Sequence, residues 1–124
     1  MNADFTIEFR ENHLYVRHAP DFEITPESTA RLWSALAREC KAYNCPRVLG
    51  EGKQIGRRMS VLSAYDSAIQ ATKVIPGLRV ACCFENYVPD KLTKFFKTVA
   101  SNRGVQIEFF SDCTEALRWL FIED

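Results

Sequence analysis

The chain has 124 residues, 47% of them hydrophobic and including nine Phe and two Trp, which is enough for a sizeable core in one domain spanning residues 1–124. Sixteen Lys and Arg balance sixteen Asp and Glu, so the broad positive field of a nucleic-acid binder is missing and nucleic acid is not an expected partner. The N-terminal MNADFTIEFR has neither a basic nor an apolar leader region, and no run approaches the roughly 20 apolar residues of a membrane span, so the reading is a soluble cytoplasmic protein without membrane insertion.

Phe5, Ile7 and Phe9 alternate with Thr6, Glu8 and Arg10. After a turn at Glu11 and Asn12, Leu14 and Val16 alternate with Tyr15 and Arg17. This pattern predicts an antiparallel hairpin with one apolar face. Thr25 before Pro26 and Glu27 reads as an N-cap and first turn, and Leu32, Trp33, Leu36, Ala37, Cys40 and Tyr43 recur at helical spacing, predicting a helix from Pro26 to Tyr43. Arg47 to Gly50 forms the third strand, and Val61, Leu62, Tyr65, Ala68 and Ile69 mark a second helix that Pro76-Gly77 closes off. Leu78 to Phe84 is a nearly continuous apolar strand, the kind a sheet covered on both faces requires. Pro89 opens a third helix that Gly104 stops, Val105 to Phe110 is the fifth strand, and Ser111 or Asp112 caps a last helix. The order β-β-α-β-α-β-α-β-α predicts an α/β sandwich in which an N-terminal antiparallel hairpin precedes parallel central strands joined by right-handed crossovers.

That order, the N-terminal hairpin and the ending Phe109-Phe110-Ser111-Asp112-Cys113-Thr114-Glu115-Ala116-Leu117-Arg118-Trp119-Leu120 resemble a STAS-type, SpoIIAA-like domain, the fold of the anti-sigma-factor antagonists. The resemblance covers nearly the whole chain and implies a small bacterial signalling protein with a regulatory, non-enzymatic role. Antagonists of that family carry a phosphorylatable serine in an Asp-Ser-Ser-Gly-like turn where the third strand meets the second helix. Arg58-Met59-Ser60-Val61 stands at that place here, which makes Ser60 a candidate for phosphorylation.

In an open α/β sheet, ligands bind beyond the carboxyl ends of the parallel strands, where loops and helix N-termini converge. Three segments are expected to meet there, Gly50 to Ser60, Glu85 to Pro89, and Ser111 to Asp112. The first, LGEGKQIGRRMS from residue 49, holds three glycines beside three cations, but Gly50, Gly52 and Gly56 fit neither the Walker nor the dinucleotide spacing. Its chemistry is therefore general, with Lys53, Arg57, Arg58 and Ser60 at a helix start forming a candidate site for a small anion. Glu51, Glu85 and Tyr87 are candidate pocket-lining groups. The plainer reading is a solvated loop in which Ser60 simply caps its helix through the N–H of Ser63.

The leading expectation is a ligand-binding or regulatory domain that engages a small anion or a partner protein at the loops after the third and fourth strands. Two alternatives stand beside it. One is a small enzyme with Glu51 or Glu85 as general base, Arg57 and Arg58 as an anion clamp and Tyr87 as a proton source. The other is an interaction module using its helix faces, including as a homodimer. No cofactor and no metal are expected, because Cys40 and Cys45 lack a second ligand pair and His13 and His18 lie on opposite strand faces. Five cysteines, an odd number without framework spacing, read as reduced thiols, and the adjacent Cys82 and Cys83 must point to opposite faces of their strand. Lys91, Lys94 and Lys97 form a basic stripe on the third helix, read as its wet face.

Overall fold

The computed structural model describes residues 4–53, 56–57, 59–85 and 87–122, with Gly56 and Arg57 described as backbone. The hairpin forms first, β1 (Phe5–Arg10) against β2 (His13–His18), with Phe5 opposite His18 and Arg10 opposite His13. Its turn places Glu11 at φ 48°, in the left-handed region. Two strands of two residues each, β3 (Glu23–Ile24) and β5 (Gly56–Arg57), pair in parallel as a separate small sheet, an addition to the expected order. Pieces that short show no period from which to read them.

The main sheet is completed by β4 (Arg47–Gly52), β6 (Arg79–Phe84) and β7 (Gln106–Phe110), in the spatial order β1-β2-β4-β6-β7. The strands from β2 onward run parallel, as the alternation of elements requires, and β1 is the antiparallel edge. Because β2 is the second strand and not an edge, it is covered on both faces. His13, Leu14, Tyr15, Val16 and His18 are all buried, more than a hairpin with one apolar face would show.

The helices start where small polar side chains can satisfy free N–H groups. Thr25 and Ser28 form a reciprocal capping box at α1 (Pro26–Tyr43), and Asn44 ends that helix in the left-handed conformation. Ser60 caps α2 (Val61–Ala71). Asp90 caps α3 (Lys91–Ser101), so that helix begins two residues after Pro89, with Thr93 returning the bond in a second capping box. Asp112 caps α4 (Cys113–Leu120). Helices α1, α2 and α3 cover one face of the sheet, with α2 between the other two, and the core there includes Leu14, Val16, Leu36, Val48, Val80 and Ile107. Helix α4 alone covers the other face, where Ala116 and Leu120 pack on Tyr15, Leu49 and Ala81. Among the described residues no helix is long and apolar enough to cross a membrane.

The expectation of five reduced thiols is corrected. Cys83, on the α4 face of β6, is joined by a disulfide to Cys113, the first residue of α4, while Cys40, Cys45 and Cys82 are free. The pair was invisible to spacing rules because its members lie 30 residues apart, brought together by the crossover through α3. Arg79 secures the far end of the same helix, donating to the Trp119 carbonyl at 2.7 Å with its guanidinium 4.1 Å from the Trp119 ring centroid. Opening a cross-link over a loop of this length costs about 2–4 kcal/mol. Urea unfolding with and without dithiothreitol, and of Cys113→Ser, should therefore show a clear drop in midpoint. An unchanged midpoint would mean that the bond does not constrain the chain.

Candidate functional site

Helix α2 turns Ala64, Ser67, Ala68 and Ala71 toward the sheet, all small, and the sheet beneath carries Gly50. The neighbouring positions are large. Trp33 of α1 and Phe96 of α3 flank α2, and Phe109 stands on β7. Bulky residues at the sides and small ones in the middle leave a chamber of about 390 Å³ between the helices and the carboxyl ends of β2, β4 and β6, within the range of small-molecule sites. Trp33 is fixed as a wall because its Nε1 donates to Ser67 Oγ at 2.8 Å, which also satisfies the buried hydroxyl. A Cβ on Gly50 would lie 3.7 Å from His18 Nε2 and 3.9 Å from the Ala81 carbonyl, so alanine fits there while a longer side chain must enter the chamber.

The lining is mostly apolar, and its described side chains include no lysine or arginine. Glu85 and Asp90 stand at the rim. His18, at the end of β2, is a second buried polar group of the wall beside Ser67, its ring held between Phe22 at 4.5 Å and Phe84 at 5.6 Å between centroids. Burial among aromatic rings lowers its pKa from 6.5 to about 4, so the imidazole is neutral at physiological pH. Burial also pushes the Cys82 thiol, on the same face, up to about 12, with Glu108 adding to the shift, which keeps it from acting as a thiolate.

The residues named from sequence divide between this chamber and other places. Glu85 and Tyr87 line it, with the Tyr87 hydroxyl 3.3 Å from Thr93 Oγ1. Glu51 does not, because the alternation of β4 turns it to the α4 face, where its carboxylate accepts from the Tyr15 hydroxyl. The two carboxylates of the enzyme reading therefore face different sides of the sheet. That pairing also raises the Tyr15 pKa, after burial, which is the larger cause. Lys53 is exposed just past β4. Arg57 lies in β5, its backbone opposite Ile24, and Arg58 is outside the described residues. Ser60 acts as a cap, accepting from the Ser63 N–H at 3.0 Å while its hydroxyl stays exposed. Ser111 and Asp112 lead into α4 and have no part in the chamber lining.

On the α3 stripe, Lys97 pairs with Glu108 while Lys91 and Lys94 are exposed. Among the described residues no three His, Cys, Asp or Glu side chains are grouped to hold a metal ion.

Sequence reading missed the stretch from the end of β2 to the first turn of α1, which supplies His18, Phe22, Ile24 and Thr29 to the chamber. The available signal was the pair Phe22 and Ile24, apolar residues alternating inside an otherwise polar connection bounded by Pro20 and Pro26. Compared with protein-family models, curated proteins and solved structures, the chain matches none.

The neutral His18 has a measurable consequence. Above pH 6.5 it is neutral whether the chain is folded or not; between pH 6.5 and 4 the unfolded chain binds the proton and the folded one does not, so stability falls as pH falls. The loss over that interval is about 3 kcal/mol. Urea unfolding at pH 7 and pH 4.5 should show a markedly flatter pH dependence for His18→Phe than for wild type. The pKa of His13 is also lowered, through burial and then Arg10, and its contribution of the same sign remains in both proteins. Equal slopes would contradict a buried, neutral His18.

Proposed function

We propose that the protein is a non-enzymatic, STAS-like ligand-binding module whose ligand occupies the chamber at the carboxyl ends of β2, β4 and β6. The observation that carries this reading is the chamber itself, a cavity of about 390 Å³ walled by Trp33, Val48, Val80, Phe96 and Phe109 at the place where open α/β sheets take their ligands. The element order and N-terminal hairpin support the STAS-like part of the reading by resemblance alone. Lined in this way, the chamber suits the apolar body of a small molecule better than a bare anion, since its described wall brings no cation inside. The regulatory side of the reading rests on Ser60, whose exposed hydroxyl caps α2 at the edge of the same cavity, next to Met59 in the lining. A phosphate there would gain from the helix N-terminus.

A partner-docking role is the second reading. Val61 and Leu62 in the first turn of α2 are 62% and 69% exposed, and Val88 in the rim loop is 73% exposed, more than a soluble surface needs.

The uncharged fluorophore N-phenyl-1-naphthylamine tests the chamber directly. Wild-type protein should take it up with enhanced, blue-shifted emission and quenching of Trp33. Gly50→Ala should bind nearly as well, because its Cβ meets only ordinary contacts, whereas Gly50→Leu should lose at least about tenfold in affinity by filling the space. Uptake that is absent in wild type, or equal in a folded Gly50→Leu, would contradict the reading.

A further inference from the structure

We propose that the chamber selects an uncharged amphiphile, an apolar body bearing one hydroxyl group, and that His18 is the residue that receives the hydroxyl. The inference rests on the ligand-binding reading above and specifies the ligand's chemistry.

His18 is 8% exposed and forms part of the chamber wall; its Nδ1 is sealed in without a partner, while its Nε2 lies beside Gly50 of the lining, 3.7 Å from where a Gly50 Cβ would stand, and has no hydrogen bond among the described residues. A ligand that fills the chamber and offers Nε2 no polar group leaves that nitrogen unpaired at a cost of about 1–3 kcal/mol, which a ligand hydroxyl avoids. The other polar side chains of the inner wall each already have a partner. Ser67 accepts from Trp33, Thr93 is tied to Asp90, and Thr29 donates to the Thr25 carbonyl at 2.9 Å. His18 is therefore the polar side chain of the inner wall that lacks a partner among the described residues, its ring between those of Phe22 and Phe84.

Charge decides which head group fits. The described wall offers no cation, and the carboxylates of Glu85 and Asp90 stand at its rim, so an ionised fatty acid would leave water for a site that does not compensate its charge. The imidazole does not supply the missing positive charge, because burial keeps it neutral at physiological pH. An ammonium group would be held at the rim by those carboxylates and would leave His18 unsatisfied. A hydroxyl both donates and accepts, so it satisfies Nε2 in either imidazole tautomer, and it carries little desolvation penalty.

The test is displacement of N-phenyl-1-naphthylamine at pH 7.5 by 1-octanol, 1-chlorooctane and octanoate, three chains of matched length with a hydroxyl, an apolar and an ionised end. Octanol should compete about tenfold better than either of the others on wild type, the worth of one buried hydrogen bond. In His18→Leu the fluorophore should still bind while the preference for octanol over chlorooctane falls to within about twofold. His18→Gln, which keeps a donor and an acceptor, should retain part of the preference and covers the case in which the leucine variant does not fold. Equal competition by the three chains on wild type, or a preference that survives in His18→Leu, overturns the assignment of His18 while leaving the chamber intact. Failure of wild type to bind the fluorophore overturns both.

Discussion

The hydrogen bond from Trp33 to Ser67 sets the spacing of α1 and α2 above the sheet, and the rest of the site follows from that spacing. An indole placed between two helices cannot be compressed, and its buried N–H must find an acceptor. Ser67 provides one, so the indole holds its position while the neighbouring α2 side chains, Ala64, Ala68 and Ala71, are too small to fill what lies beneath. Gly50 removes a sheet side chain that would have projected into the gap. A core normally closes over such space, because each missing contact forfeits dispersion energy. Here the large residues on either side, Trp33 and Phe96, keep it open.

The two faces of the sheet are built to different ends. On the α4 side the helix is short, eight residues, and it is fixed at its first residue by the Cys83–Cys113 bond and at its other end by Arg79. Tyr15 and Glu51 satisfy each other on that side. On the side of α1, α2 and α3 the layer is longer and hollow, and its buried histidine has no hydrogen-bond partner among the described residues. A closed, cross-linked face behind an open one gives the chamber a rigid floor, since β4 and β6 carry both.

Much of the architecture was legible because it depends on local rules. Thr25-Pro26-Glu27 announces the start of α1, Pro76-Gly77 follows α2, and the run from Leu78 to Phe84 marks a strand covered on both faces. The location of the site was legible in part for the same reason, since strand ends can be read from strands, and Gly50, Met59, Glu85 and Tyr87 do meet there. Its chemistry was not. The cations of the glycine loop drew attention to an anion, whereas the cavity is defined by the volumes of Ala64, Ser67 and Gly50, residues whose smallness has meaning only once they face one another. Glu51 and Glu85 look like neighbours at adjacent strand ends, but Glu51 lies within β4 and faces α4, whereas Glu85 lies past the end of β6, in a turn that brings it to the chamber. The disulfide and the β3–β5 pair are likewise long-range facts, the first linking positions 30 apart and the second made of strands too short to have a pattern.

Everything at the site depends on the mostly apolar volume between α2 and the ends of β2, β4 and β6. Crystals pressurised with xenon measure it most directly, because xenon enters dry apolar cavities and is visible in anomalous difference maps. A xenon peak is expected between Trp33, Gly50 and Val80, with the surrounding side chains unmoved. A map with no xenon there, and with Trp33 or Phe96 swung inward to fill the space, would contradict it.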